Sequence, residues 1–253
     1  MKAIIMAGGP SSRLRPLTKY IPKCMLKVNI HEDTTIIDTQ IIMLNHFGIK
    51  DIVVVTGFAA DKLKNHLSKY KGVVNIKFVN NKKYLETYPA YAFWLTKKYL
   101  NDTFIYLNGD VVFHPKVLQM IIKSKKDSVT AIKKASWDAE EVNVITNKKS
   151  EIIEIGKHIS KELSSGEFVG VTKIGKEFGK RFINALDYFK SKNENRRFAA
   201  DAINLAIQNW GGKIHEIDMT KWPVVEIDTI KDYNEAKKFW NSIKNDFEDI
   251  NTN

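Results

Sequence analysis

One cysteine, Cys24, is all the thiol chemistry in this chain of 253 residues. A single thiol excludes an intrachain disulfide and any multi-cysteine metal site. No stretch reaches about 18 consecutive apolar residues, so no membrane-spanning helix is expected. The first residues, "MKAIIM", read directly as a strand and not as the basic-then-apolar leader of a secreted protein. Internal repeats, low-complexity tracts and Pro/Gly/Ser linkers are also missing. The expectation is one domain over residues 1–253, with a core to about residue 240 and a frayed polar tail at 244–253. These absences favour a soluble, cytoplasmic protein.

The chain does carry enough apolar sequence for a sizeable core, at 43% hydrophobic and 27% charged residues. Its 40 lysines and arginines against 29 acids give a net charge of +11. Nucleic acid, an anionic small-molecule substrate, and a lysine-rich composition without specific purpose each account for that excess. The lysines are spread, as at Lys62, Lys64, Lys69, Lys71, Lys82, Lys83, Lys97 and Lys98, which is the habit of solvated helix faces. Without an RNA-binding aromatic signature, zinc-finger spacing or a basic arm, no specific nucleic-acid partner is expected.

Through the first half, short β-branched runs alternate with helical periodicity. Lys2–Met6, Asp51–Thr56, Val74–Val79 and Thr103–Leu107 read as strands, and Ile36–Phe47, Ala59–Tyr70 and Ala90–Leu100 as helices. That pattern predicts βαβ units and a buried parallel sheet, with ligands at the C-terminal strand edge. The second half gives strands at Ser128–Lys134, Glu141–Thr146, Glu151–Ile155 and Glu167–Ile174 joined by short turns, a mixed or antiparallel extension. Helices at Lys176–Lys190, Phe198–Trp210 and Lys231–Ile243 and a strand at Lys213–Ile217 complete it. The fold class is α/β: a Rossmann-like mixed, mainly parallel sheet flanked by helices.

Three stretches carry chemistry. "AGGPSSRLRPLTKYIPKCMLKV", from Ala7 to Val28, leaves the first strand through Gly8 and Gly9, whose backbone can turn sharply and approach a ligand closely. Arg13 and Lys23 add charge suited to phosphate. The stretch is neither G-x-x-x-x-G-K-S/T nor G-x-G-x-x-G opening a helix. "YLNGDVVF" ends an apolar strand on Gly109-Asp110, placing a carboxylate at the strand's C-terminal edge. Such a carboxylate suits Mg²⁺, which takes one or two carboxylates plus phosphate oxygens and water. An Asp after Gly is also an ordinary turn residue. In "EIDTIKDYNEAKKFW", Asp228 or Thr229 can cap the helix that follows, and Asp232 suits the helix dipole.

The first stretch, read as AGG-x-x-S-R-L-R-P-L-T-x-x-x-P-K-x-M-L-x-V, resembles the signature of nucleotidyltransferases that join a nucleoside triphosphate to a phosphorylated sugar or small alcohol. The resemblance implies that Ala7, Gly8, Gly9, Ser11, Ser12, Arg13 and Lys23 bind the triphosphate, with Arg13 and Lys23 as the catalytic cations. Ser11 stands where the family usually has glycine. Asp110 and Asp228 become the Mg²⁺ carboxylates. Lys157, after "EIIEIG", and Glu167 and Gly170, in "GEFVG", match acceptor-binding positions. Asn81, Tyr84, Thr87 and Tyr91 loosely fit the base-selecting stretch of CTP-using relatives; Tyr88 and Tyr91 are equally core or rim aromatics.

The "E-I-D-T-x-x-D" pattern resembles members making CDP-linked small alcohols. With the chain ending soon after that helix, without the extra β-helix domain of larger relatives, it favours CTP as donor and a phosphocholine- or inositol-phosphate-like acceptor. A sugar-1-phosphate thymidylyl- or uridylyltransferase is the alternative, because "RLRPLT" is equally at home there. A non-catalytic nucleotide-binding regulatory paralogue is a further reading, against which stands the presence of both Asp110 and Asp228.

Overall fold

Short β-branched runs become strands and the amphipathic stretches between them become helices, over residues 1–29, 32–134, 137 and 141–243, which the computed structural model describes. The tail expected at 244–253 lies outside the described residues. In chain order, β1 (Lys2–Met6) leads into single 3-10 turns at Ser12–Leu14 and Lys23–Met25. Then follow β2 (Lys27–Asn29), β3 (Thr34–Thr35), α1 (Ile36–His46), β4 (Asp51–Thr56), α2 (Ala60–Leu67) and β5 (Asn75–Asn80). The middle of the chain forms α3 (Pro89–Leu95), β6 (Phe104–Asn108), β7 (Val111–Phe113), α4 (Pro115–Lys123), β8 (Val129–Lys133), β9 (Asn143–Thr146) and β10 (Ile152–Gly156). The remainder is β11 (Gly166–Ile174), α5 (Lys176–Ser191), α6 (Ala199–Trp210), β12 (His215–Asp218), β13 (Val224–Glu226) and α7 (Ile230–Ile243).

Two helices stop earlier than their periodicity predicts. The helix expected to reach Tyr70 ends at Leu67, and the one expected to reach Leu100 ends at Leu95; each gives way to a 3-10 turn. At both ends a hydroxyl bonds back three residues, Ser68 Oγ to the Asn65 carbonyl and Thr96 Oγ1 to the Phe93 carbonyl, each at 2.7 Å. Such back-bonding offers the last carbonyls an alternative to continuing the α-helix.

The described residues gather into two compact units. One holds Lys2–Leu85, Leu107–Gln119 and the segment from Trp222 onward. In it β4 pairs in parallel with β1 on one side and β5 on the other. Ala3, Ile4 and Ile5 of β1 are fully buried. Because successive side chains alternate faces, both faces of this sheet must be covered. Each isoleucine so buried contributes about 1.5–3 kcal/mol. α1 is buried along most of its length, including the polar Asp38, Thr39 and Gln40. β7 and β13 form a separate two-stranded antiparallel ribbon, Val111 opposite Glu226 and Phe113 opposite Val224.

The other unit holds Glu86–Tyr106 and Met120–Lys221. There β8 pairs with β11 antiparallel and β12 parallel, and β9 lies antiparallel to β11 and β10. The antiparallel character expected of the second half is present. α3, α5 and α6 pack together, with the Phe93 and Phe182 rings edge-on at 5.2 Å. No helix among the described residues is long and apolar enough to cross a membrane.

Candidate active site

The glycine-rich exit from β1 is shaped by a neighbouring loop. Ala7 continues the parallel pairing by donating to the Val55 carbonyl, and Phe58 donates to the Gly8 carbonyl at 3.1 Å. A Cβ on Gly8 would lie 3.2 Å from the Thr56 carbonyl group. At Gly57 the crowding is worse, because a side chain there would run into the Gly8 carbonyl oxygen. Gly9 is different: among the described residues nothing lies within 4 Å of the place its Cβ would take. Packing therefore explains Gly8, whereas Gly9 leaves open space of the kind a closely approaching phosphate needs.

Ser11 adopts the left-handed conformation, φ 46° and ψ 52°. This is the conformation that the family's usual glycine takes without strain, and for a side-chain-bearing residue it costs about 1–2 kcal/mol. The surroundings hold it there: the Thr18 hydroxyl, itself fully buried, donates to the Ser11 carbonyl at 2.7 Å, and the Leu14 N–H donates to the same oxygen. The loop thus keeps a glycine-like path with serine in place. Pro22 then precedes the second 3-10 turn, in which Met25 N–H bonds the Pro22 carbonyl and Cys24 is buried. Burial and the nearby Asp110 carboxylate push the Cys24 thiol pKa up, so it packs as a small apolar group.

The carboxylates arrive from the far side of the sequence. Gly109 N–H donates to the Met6 carbonyl at 3.0 Å, and a Cβ on Gly109 would sit against the Met6 oxygen, so only glycine lets this turn lie along the end of β1. Asp110 then immediately precedes β7. Its partner strand β13 runs antiparallel and is followed by Asp228, and the Ile227 N–H bonds the Asp110 carbonyl at 3.1 Å. Of the two residues expected to cap α7, Thr229 does so. Its hydroxyl accepts from Asp232 N–H, while Asp232 Oδ2 accepts from the backbone N–H groups of Asp228 and Thr229. Asp228 is thereby left to face the cations.

Four charges from these segments converge. Lys23 Nζ lies 2.8 Å from Asp110 Oδ2 and 2.8 Å from Asp228 Oδ1, and Arg13 Nη2 lies 2.9 Å from Asp228 Oδ2. The Lys23 side chain is only 11% exposed, against 25% for Asp110 and 20% for Asp228. Burial by itself would pull the Lys23 pKa down, but the two carboxylates outweigh it and hold the ammonium above its ordinary range. Lys23 is accordingly a permanent cation. Arg13, at 67% exposure, is the loosely held member. Among the described residues Asp110 Oδ1 is buried without a hydrogen-bond partner.

Other residues singled out from the sequence have contacts of their own, and Tyr84 Cβ lies against Gly57, the neighbour of Gly8. Asn81 is buried and holds a turn, its side-chain oxygen accepting from Lys83 N–H at 3.0 Å, and the Tyr84 ring meets Phe58 edge-on. Thr87 is buried in the second unit. Lys157, also there, follows β10 and is exposed. Just before it, Asn204 of α6 brackets Ile155, accepting from its N–H at 2.9 Å and donating to its carbonyl at 2.7 Å. Gly170 has φ 69° where the β11–β8 register shifts, so the bulge itself requires glycine, and Glu167 stands opposite Lys133 in that ladder. Gln40, which is not among the residues expected from the sequence, reaches the backbone on both sides of Gly109-Asp110 through its amide; its signal is a polar triplet, Asp38-Thr39-Gln40, inside an otherwise apolar helix.

The chain resembles known proteins along most of its length. A CTP:phosphoglutamine cytidylyltransferase of Campylobacter jejuni is 29% identical, over 92% of this chain and 97% of its own. A UTP–glucose-1-phosphate uridylyltransferase of Haloferax volcanii is 25% identical, over 94% and 96%. The structure of the inositol-1-phosphate CTP transferase from T. maritima shares the fold with a TM-score of 0.78 at 23% identity, covering 96% of each chain. The family pattern described as "Nucleotidyl transferase" matches residues 2–155, which include the glycine loop, both of its cations and Asp110. The chain belongs to the nucleotidyl transferase family.

Proposed function

We propose that this nucleotidyltransferase transfers a cytidylyl group from CTP to a small phosphorylated alcohol of the phosphocholine or inositol-phosphate kind, releasing pyrophosphate. The observation that carries the reading is the convergence of two phosphate-seeking cations, Arg13 and Lys23, with two carboxylates, Asp110 and Asp228, beside an open glycine turn. Two carboxylates do not make a closed metal cage. No group of three or more His, Cys, Asp or Glu side chains among the described residues is placed to hold a metal. That donor set, with Asp110 Oδ1 unpartnered among the described residues, fits Mg²⁺, which keeps water and substrate phosphate oxygens in its remaining positions.

When bound, the divalent cation would neutralise phosphate charge that otherwise repels the incoming anion. The rest falls to the chain. Arg13 and Lys23 hold the triphosphate's oxygens, Lys23 as a fixed cation and Arg13 as a mobile fork. Lys157 is assigned to the acceptor's phosphate on the family resemblance. An acceptor phosphate oxygen forms a bond to the α-phosphorus as the bond from that phosphorus to the bridging oxygen breaks, and pyrophosphate leaves with the electron pair. A phosphate monoester is largely dianionic near neutral pH, so no side chain is needed as general base; positioning and charge compensation are the catalyst.

The test is pyrophosphate release from each of the common nucleoside triphosphates against phosphocholine, inositol 1-phosphate, phosphoglutamine and glucose 1-phosphate. The proposal expects CTP with a phosphorylated alcohol to give the highest kcat/KM. The second reading, a sugar-1-phosphate thymidylyl- or uridylyltransferase, is favoured by the full-length likeness to the Haloferax volcanii enzyme. Preference for UTP or dTTP with the hexose phosphate would replace the first reading by that one.

A further inference from the structure

We propose that Gln40 is a positioning residue that fixes the Asp110 carboxylate for a divalent cation; this rests on the reading of Asp110 as a metal ligand. Gln40 sits within α1 and is fully buried. Its Nε2 donates to the Asn108 carbonyl at 2.7 Å and to the Val111 carbonyl at 2.8 Å, the two carbonyls that flank Gly109-Asp110. Both neighbours are pure acceptors, so the amide can lie only with nitrogen toward them. One planar NH₂ group thus ties the end of β6 to the start of β7 across the turn that presents Asp110. On the opposite side the turn is held by Gly109 N–H on Met6 and by Ile227 N–H on the Asp110 carbonyl.

The arrangement has a cost that argues for a role beyond packing. Gln40 Oε1 is buried and has no hydrogen-bond partner among the described residues. An unpaired buried acceptor costs about 1–3 kcal/mol, and native interiors rarely leave one. What the side chain provides in return is geometric. The Asp110 turn is clamped from the α1 side by Gln40 and from the β13 side by Ile227, the residue that leads from β13 to Asp228. The register of both carboxylates therefore refers back to one buried amide. Outer groups that orient metal ligands are worth about ten- to a hundred-fold in metal affinity.

The experiment is a titration of the full chain with Mn²⁺ alone, read by electron paramagnetic resonance, alongside thermal unfolding. Gln40→Met is expected to weaken Mn²⁺ binding by about ten-fold or more while the protein remains folded. A lowered melting temperature with Mn²⁺ affinity unchanged would overturn the proposal, leaving Gln40 a packing residue. Should Gln40→Met fail to fold, Gln40→Glu conserves the volume and offers at most one proton to the two carbonyls, so it too must lose Mn²⁺ affinity. Asp110→Asn separates the two ideas. If it abolishes Mn²⁺ binding and the Gln40 variants do not disturb it, the positioning role alone falls. If the unaltered chain shows no saturable Mn²⁺ binding, or Asp110→Asn leaves it intact, the metal reading falls and takes this inference with it.

Discussion

Two clusters of opposite charges stand in the same unit, and they are built to different ends. Around Asp38, at the first turn of α1, every acceptor position is used. Thr35 donates through its N–H and its hydroxyl, Lys69 Nζ approaches Oδ2 at 2.9 Å, the Tyr70 hydroxyl donates to Oδ1 at 2.9 Å, and His66 Nε2 lies 3.0 Å from both oxygens. Burial raises the Asp38 pKa, yet the donors led by His66 and Lys69 outweigh it and hold the carboxyl below the usual range; Tyr70 is pushed up by burial and by that charge. The Asp110–Asp228 cluster has charges as close, but Asp110 Oδ1 is left without a partner among the described residues. A saturated cluster ties α1 to α2 and the turn after it. An unsaturated one retains ligand capacity, and that is what distinguishes chemistry from architecture here.

Exchanging the consequences of the two clusters would break this comparison. The largest effect is expected from Asp110→Asn: turnover falls about 10³-fold or more, with the unfolding transition nearly unchanged. Near-normal pyrophosphate release from this variant would show the unsaturated carboxylate to be architectural after all. Asp38→Ala should do the reverse. It removes the acceptor of the Thr35 cap, of His66 and of the Tyr70 hydroxyl and costs about 1–3 kcal/mol in urea unfolding, while the half-exposed Lys69 returns to water and kcat of the folded fraction is preserved. Acidification sharpens the point. Asp38 has its folded pKa depressed, so the unfolded state binds the proton first, and its contribution is complete above the ordinary carboxylate range. The stability gap between the unaltered chain and Asp38→Asn should begin to narrow as pH falls below about 4 and go on narrowing toward the depressed folded pKa. A gap that persists unchanged at pH 3 would assign the stabilisation to packing. The smallest effect is expected at Ser11→Gly. Relief of strain and the greater freedom of the unfolded chain offset each other within about 1 kcal/mol. A KM for the nucleotide raised more than about ten-fold would instead put the serine hydroxyl in contact with the substrate.

How much of this was legible in the sequence depends on range. β1 and β4 are buried on both faces, and fully buried strands announce themselves as unbroken Val/Ile runs. β7 and β13 do not, because three-residue strands have no period to read and each finds its partner only through the tertiary fold. Arg13, Lys23, Asp110 and Asp228 were readable through a long motif and its echoes; nothing local in "NGD" or "EIDT" says that one lysine will bridge them. Thr229 and Asp228 compete for the same capping role in sequence, and only the position of Asp232 decides between them. Gln40 escaped because a polar residue on a helix is presumed to face water, and α1 has almost no face that does.

The bridge from Lys23 to Asp228 joins positions 205 residues apart. A chain emerging during synthesis exposes its cationic loop early, then Asp110, and Asp228 only after most of both units has been made. Until β13 zips onto β7, Lys23 has a single carboxylate to face. The pair becomes a site only where that long-range pairing is made, so chains truncated before β13 retain the family's most recognisable motif without the second carboxylate.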